Sequence, residues 1–175
     1  MRKLTAALIA VVVLLSGCGK AKTDIEPFLT YDLDKNEITQ EIFSNKKLTM
    51  LNVWATFCSP CLEEMPYLSE LSVELASSNV QILGLVADVM DQKGGIISDQ
   101  VNYAQQLVLK TGALYTHLLP SDGFLVDLLS GVYAVPTTFF FDTRGNQVGE
   151  PVLGGKNKMG WEAEINARLE LLNET

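Results

Sequence analysis

The sequence predicts an α/β domain: a central mixed β-sheet flanked by helices, with an N-terminal hairpin and a central insertion. Three observations lead there. Two apolar runs, "LTMLNVWA" and "VQILGLVA", have the length and residue types of interior strands. The segments that follow them repeat apolar residues at helical spacing. A third run, "TTFFFD" at 137–142, is followed by Arg144-Gly145-Asn146 and "QVGEPVLGG", which together read as a second hairpin. At 175 residues and 47% hydrophobic content, the chain suits one globular domain with its own core.

The first seventeen residues stand apart from that domain. Arg2 and Lys3 precede "LTAALIAVVVLLSG", a run too short for a comfortable membrane span and shaped like a signal peptide, which predicts export. It ends in Leu15-Ser16-Gly17-Cys18, which resembles the lipobox of bacterial lipoproteins. The resemblance implies that Cys18 receives lipid and becomes the first residue of the mature chain. An ordinary signal peptide with a chance cysteine, or an uncleaved anchor, is the alternative. Residues 18–27 then read as a lipid-anchored tether and 28–175 as the folded domain. Removing residues 1–17 leaves 11 basic against 21 acidic side chains, a formal charge of −10. That acidity argues against nucleic acid as a partner and biases the surface toward neutral or basic ones.

In chain order, "FLTYDLDKNEITQEIFSNKK" holds short extended pieces around an Asp-Lys-Asn-Glu turn, and "LTMLNVWA" delivers the chain to Cys58. Leu62, Met65, Leu68, Leu71, Ser72 and Leu75 then recur at helical spacing, so a helix of about five turns should begin at the cysteines and end at Asn79. "VQILGLVA" is the second interior strand. "SDQVNYAQQLVLK" reads as a helix with Ser98 near its start and Val101, Ala104 and Val108 inward, and a short helix should follow Ser121 and Asp122. Pro151 marks the last strand as an edge or a bulge. Trp161, Ile165, Leu169 and Leu172 share one face of a terminal helix. No internal repeat interrupts this order.

Of three cysteines, one is assigned to lipid, which leaves Cys58 and Cys61 as a pair in an oxidising compartment. They could be a reactive pair, a metal clip or a structural staple. A structural zinc site needs four ligands, whereas the chain offers two thiols and a distant His117, itself on an apolar stretch that suits a structural role. As a staple the pair closes almost no loop entropy.

The motifs Trp54-Ala55-Thr56-Phe57-Cys58-Ser59-Pro60-Cys61, Pro66, Val135-Pro136-Thr137-Thr138 and Gly154-Gly155, in that order, resemble the thioredoxin superfamily. The likeness is greatest to its membrane-tethered thiol-disulfide reductases of the TlpA and ResA type. The resemblance implies a thioredoxin-like fold and an extracytoplasmic oxidoreductase that reduces protein disulfides, such as those of apocytochrome c, through the Cys58–Cys61 dithiol. It further implies no cofactor beyond that redox-active disulfide, a membrane electron donor of the CcdA/DsbD type, and a substrate-binding surface at Trp54, Val135 and Pro136. Pro136 would be cis, leaving the backbone of Val135 free to pair with an extended substrate strand.

The residues support this chemistry on physical grounds. A cysteine at a helix N-terminus meets unpaired N–H groups and the positive end of the helix dipole, which favour thiolate. Cys58 should then be exposed and nucleophilic, with Cys61 one turn in and shielded, able to resolve a mixed disulfide. Pro66 should kink the helix.

Two departures from cytoplasmic thioredoxin bear on proton handling: Asn52 stands where a buried aspartate is usual, and Phe57 where a tryptophan is. Glu64 matches a glutamate beside the active site of the ResA-like reductases and could accept the proton of Cys61. Alternatively, Glu63 and Glu64 are a solvated helix face. Asp88, at the end of the second strand, is a second candidate of the same kind. The surplus length around "DVMDQKGGIISDQ" would shape partner choice; alternatively, Gly94-Gly95 is a passive flexible loop. Two other classes share the fold: copper-delivery proteins of the Sco type, which normally carry CxxxC, and thiol-dependent peroxidases, which carry threonine where this chain has Ala55.

The lipobox makes a direct prediction. Cys18→Ala should move the protein from the membrane fraction to the soluble or unprocessed pool, and unchanged lipid labelling in that variant would remove the anchor assignment.

Overall fold

A computed structural model describes residues 24–120 and 123–174. The expected signal segment, Cys18, Ser121 and Asp122 lie outside the described residues.

The chain enters through a hairpin of β1 (Leu29–Tyr31) and β2 (Glu37–Thr39). It then crosses the centre of the fold as β3 (Leu48–Trp54), buried at every position, the pattern of a strand covered on both faces. Helix α1 (Ser59–Glu74) leads to β4 (Val80–Val86), and α2 (Ser98–Thr111) leads to β5 (His117–Leu118). After α3 (Phe124–Ser130) come β6 (Thr137–Phe141), β7 (Val152–Leu153) and α4 (Lys158–Glu174). The strands lie in the order β5-β4-β3-β6-β7, with β3, β4 and β5 parallel and β6 antiparallel to both β3 and β7.

Alternation along β3 divides the core. Leu48, Met50 and Trp54 face a layer built by Met65 and Leu68 of α1, Ala104 of α2 and Trp161 of α4. Leu51 and Val53 face the other layer, where Phe43, Phe139, Phe141 and Leu125 of α3 meet.

Two expectations are corrected and two details are added. The strand predicted over 147–155 shrinks to Val152–Leu153, because Gly149 has φ 70° and Pro151 has no N–H to give a ladder. Helix α2 starts at Ser98 with Val101, Ala104 and Val108 inward, as expected; its N-cap is Ile97, which offers no side-chain cap, and Leu107 joins Ala104 as buried. The two-residue β5 was not expected; strands that short carry no periodic signal. The domain also begins earlier than residue 28. Asp24 donates its N–H to the carbonyl of Arg144 at 2.6 Å and pairs with the Arg144 guanidinium at 2.9 Å, while Ile25 packs against the aromatic layer. The bounds of α1 agree with expectation: it begins at the cysteines, and its end passes through a short 3-10 turn to Asn79, which is left-handed at φ 58°.

Three aspartates build the same turn. Asp32, Asp91 and Asp142 each accept two backbone N–H groups, from residues two and four positions on, at 2.8–2.9 Å. The third residue after each, Lys35, Gly94 and Gly145, has a positive φ. Asp91 sits in the predicted insertion, which folds back on itself through a bridge between Met90 and Ile96.

A buried polar pair locks three strands together. Trp54 Nε1–H donates to His117 Nδ1 at 3.1 Å, and His117 Nε2 lies 2.9 Å from the carbonyl of Ala113. Because the indole can only donate, Nδ1 must be bare and Nε2 must carry the proton. The imidazole lies over Gly84, where a Cβ would come within 2.1 Å of Nδ1.

Burial lowers the pKa of His117 to about 4, the Ala113 carbonyl opposing this only in part. Between about 6.5 and 4 the unfolded chain therefore binds more protons, so stability present above this window is lost as pH falls through it, by about 3 kcal/mol in all. Glu64, whose pKa is raised, contributes with the opposite sign. Denaturant unfolding of wild type and His117→Gln across this range separates the two, and only the variant should lose the acid-side decline.

Candidate active site

Strand β3 ends at Trp54 and hands the chain to Cys58, which caps α1 from an extended backbone (φ −90°, ψ 95°). Its Sγ accepts the N–H of Cys61 at 3.2 Å, so the sulfur takes one of the orphan donors of the first turn, with Pro60 inside that turn. Cys58 and Cys61 are joined as a disulfide, with Cα atoms 5.3 Å apart.

Cys58 was expected to be exposed, yet it keeps only 5% of its surface, against 0% for Cys61. The capping position and the bond to Cys61 turn its sulfur onto the helix rather than outward. The asymmetry between the two survives in weaker form. Phe57 beside it is 77% exposed.

Trp54, expected at the substrate surface, is fully buried, its indole N–H committed to His117. It has no face to offer a partner, so that expectation is corrected: Trp54 anchors the base of the site from within.

The peptide bond between Val135 and Pro136 is cis. Among the described residues neither the N–H nor the C=O of Val135 has a backbone partner, whereas Pro136 accepts the N–H of Gly154 at 2.9 Å. Val135 borders an open groove of about 440 Å³ that also contains Phe57, Ala87, Leu129, Val132 and Tyr133. An extended strand could pair with Val135 here, by the same geometry as a strand added to a sheet edge.

Glu64 and Glu63 part company. Glu63 is exposed, whereas Glu64 keeps 2% of its surface and shares the buried face of α1 with Cys61. Its Oε1 accepts from Asn52 Nδ2 at 2.8 Å, and its Oε2 from the Lys156 N–H at 3.0 Å and Trp161 Nε1–H at 2.9 Å. Asn52 also donates to Thr138 Oγ1 at 3.0 Å, its cross-strand neighbour on β6. Burial raises the pKa of Glu64, and the three donors hold it back in part. The result is a carboxyl whose protonated form is favoured by burial, one helical turn from the inner cysteine.

Gly155 completes this arrangement. A Cβ there would stand 3.2 Å from Glu64 Oε2 and 3.3 Å from the Pro60 carbonyl, so glycine lets the chain before α4 approach the helix start. The Trp161 contribution was not anticipated, because its spacing reads as core. A buried indole needs an acceptor, and an acidic residue on the facing helix was the available signal.

Asp88 lies elsewhere. Its carboxylate accepts the Thr56 N–H at 3.1 Å, the Thr56 hydroxyl at 2.6 Å and Gln100 Nε2 at 3.0 Å. These contacts fasten the approach to Cys58 to the segment after β4 and, through Gln100, to α2. Among the described residues no three His, Cys, Asp or Glu side chains come together as metal ligands would.

Comparison with known proteins agrees with this geometry. The chain is 32% identical over 123 residues to "Thiol-disulfide oxidoreductase ResA" of Bacillus thuringiensis subsp. konkukian, covering 70% of this chain and 64% of that one. It is 30% identical over 146 residues to "Thiol:disulfide interchange protein DsbE" of Haemophilus influenzae, covering 83% and 72%. The aligned segment thus spans a little under two thirds of the ResA relative. Among solved structures, a putative thiol:disulfide interchange protein DsbE from Chlorobium tepidum superposes with a TM-score of 0.65 at 19% identity, over 86% of this chain and 99% of that one, which shows a shared fold. The profile of the Redoxin family matches residues 19–149, and with a helix-capping Cys58–Cys61 pair at the end of its central strand the chain belongs to that family.

Proposed function

We propose that the protein is an extracytoplasmic thiol-disulfide oxidoreductase that reduces protein disulfides through Cys58 and Cys61. One observation carries the reading: a disulfide at the first turn of α1 whose inner sulfur is fully buried, with the buried carboxyl of Glu64 on the same helix face. The names of the ResA and DsbE relatives support the same class of activity.

In the reduced protein the Cys58 thiolate attacks one sulfur of the substrate disulfide, forming a mixed disulfide and expelling the first substrate thiolate. Cys61 passes its proton to Glu64 and, as thiolate, attacks Cys58 Sγ. This re-forms the Cys58–Cys61 bond and releases the second substrate thiolate, so two electrons leave the dithiol for the substrate. Val135 pairs with the substrate backbone beside Pro136, and the groove at Phe57 and Tyr133 receives its side chains. The oxidised protein is recharged by a membrane dithiol donor of the CcdA/DsbD type, and lipid on Cys18 keeps it near that donor. Neither a copper-delivery nor a peroxidase role is favoured by a feature of the site.

The roles of the two sulfurs are separable. Cys61→Ser should accumulate mixed disulfides through Cys58, whereas Cys58→Ser should trap none; equal trapping by both would reverse the assignment. The direction of exchange rests on the equilibrium potential of the couple against glutathione, and a value in the range of strong oxidants would make the protein an oxidase. Glu64→Gln should keep the fold and the disulfide but slow exchange about 10–100-fold near neutral pH, while Glu63→Gln changes little. Matching pH–rate profiles for wild type and Glu64→Gln would remove Glu64 from the mechanism.

A further inference from the structure

The two oxygens of Glu64 face different surroundings. Oε1 turns inward to Asn52, within the sheet layer. Oε2 turns toward the segment before α4, where the Lys156 N–H and Trp161 Nε1–H reach it and Gly155 approaches it closely. On that side lies an open cleft of about 460 Å³ between the first turns of α1 and the start of α4, lined by Glu64 together with Pro60, Glu63, Tyr67, Gly155 and Lys156. It has no residue in common with the groove beside Phe57 and Val135.

This separation matters for the proton. Once a substrate strand lies on Val135 and over Cys58, water is excluded from the face that carries the sulfurs. The proton that Cys61 gives to Glu64 still has to reach solvent before the site can turn over. We propose that the cleft between α1 and the start of α4 is a second opening onto the active site, through which Glu64 exchanges its proton with bulk water while substrate covers Cys58.

The inference rests on the reading of Glu64 as the proton acceptor. In the resolving step the Cys61 S–H bond breaks, its proton moves to Glu64, and the sulfur's electron pair forms the Cys58–Cys61 bond as the substrate thiolate departs. Glu64 then returns the proton to water in the cleft. The titratable groups around it are Glu63, Tyr67 and Lys156 on the cleft side and Cys61 and Tyr115 within, the last sensing the charge of Glu64. Tyr67 is 40% exposed, and Gly155 carries no Cβ to stand against Oε2 of the otherwise buried Glu64.

Access can be measured without turnover, using a water-soluble carbodiimide with methylamine, which converts an accessible protonated carboxyl to an amide. In Cys61→Ser carrying a peptide disulfide-linked to Cys58, mass spectrometry gives the labelling of Glu64 relative to exposed Glu63 in the same segment. The expected result is that the peptide leaves this ratio unchanged. Gly155→Ala should lower it about tenfold by placing a methyl against Oε2, and Tyr67→Ala should raise it.

In single-turnover quench experiments Gly155→Ala should slow the release of a Cys58 adduct by Cys61 and shift its pH profile, with Tyr67→Ala at least as fast as wild type. Protection of Glu64 by the Cys58-linked peptide would overturn the proposal, because access would then run through the sulfur face. So would indifference to Tyr67→Ala, which needs no close fit to fold. Neither result depends on Glu64→Gln slowing exchange, so loss of the second opening and loss of the acceptor role are read separately.

Discussion

A carboxylate taken out of water must be met by donors from the protein, and the placement of Glu64 organises much of the molecule around that demand. Its donors come from three elements: Asn52 on the central strand, the backbone of Lys156 before α4, and the indole of Trp161 within α4. Each is fixed by something further away. Asn52 is held by Thr138 across the sheet, and Lys156 is brought close by a glycine that no larger residue could replace without pressing on the carboxyl. The packing of α4 against α1 is therefore part of the site's electrostatics. The exposed pairing of Lys158 with Glu70 and Glu74 joins the same two helices at the surface, where screening leaves it little weight.

Two networks flank the disulfide with different tasks. On one side Asp88, Thr56 and Gln100 fasten the turn before Cys58 to α2, so the segment that follows the second strand is tied to the approach to the active sulfur. On the other, Asn52 and Trp161 donate to the buried carboxylate of Glu64, on the same helix face as the inner sulfur. Asp88 and Glu64 looked alike along the chain as acidic residues near the cysteines. Their surroundings differ: Asp88 is tied to Thr56 and Gln100, whereas Glu64 is buried with its pKa raised.

What could be read in advance divides along a physical line. The buried strands, the helix starting at Cys58 and the stripe on α4 were legible because burial imposes a period on the residues that carry it. The parting of Glu63 from Glu64 was not, since two neighbouring acids on a helix differ only by what packs against them. Trp54 was misplaced for the same reason: the motif that contains it marks the site, but the strand's alternation sends its ring inward to His117. Cys58 is less exposed than its order in the motif implied, because a capping sulfur folds back on the helix. The last strand was overestimated where Gly149 and Pro151 break the ladder, and the tether was drawn too long at its end because Asp24 and Ile25 gain their contacts from residues far along the chain.

The imidazole lying over Gly84 also limits how this sequence can drift. Trp54, Gly84 and His117 sit on three adjacent strands, and none can change alone at small cost. An alanine at 84 collides with the ring, a smaller residue at 117 leaves the indole N–H without an acceptor, and a residue at 54 without that N–H frees a nitrogen buried among apolar groups. Substitution at the three positions is thus strongly non-additive, and viable variants should be found as coordinated sets rather than as steps taken one at a time.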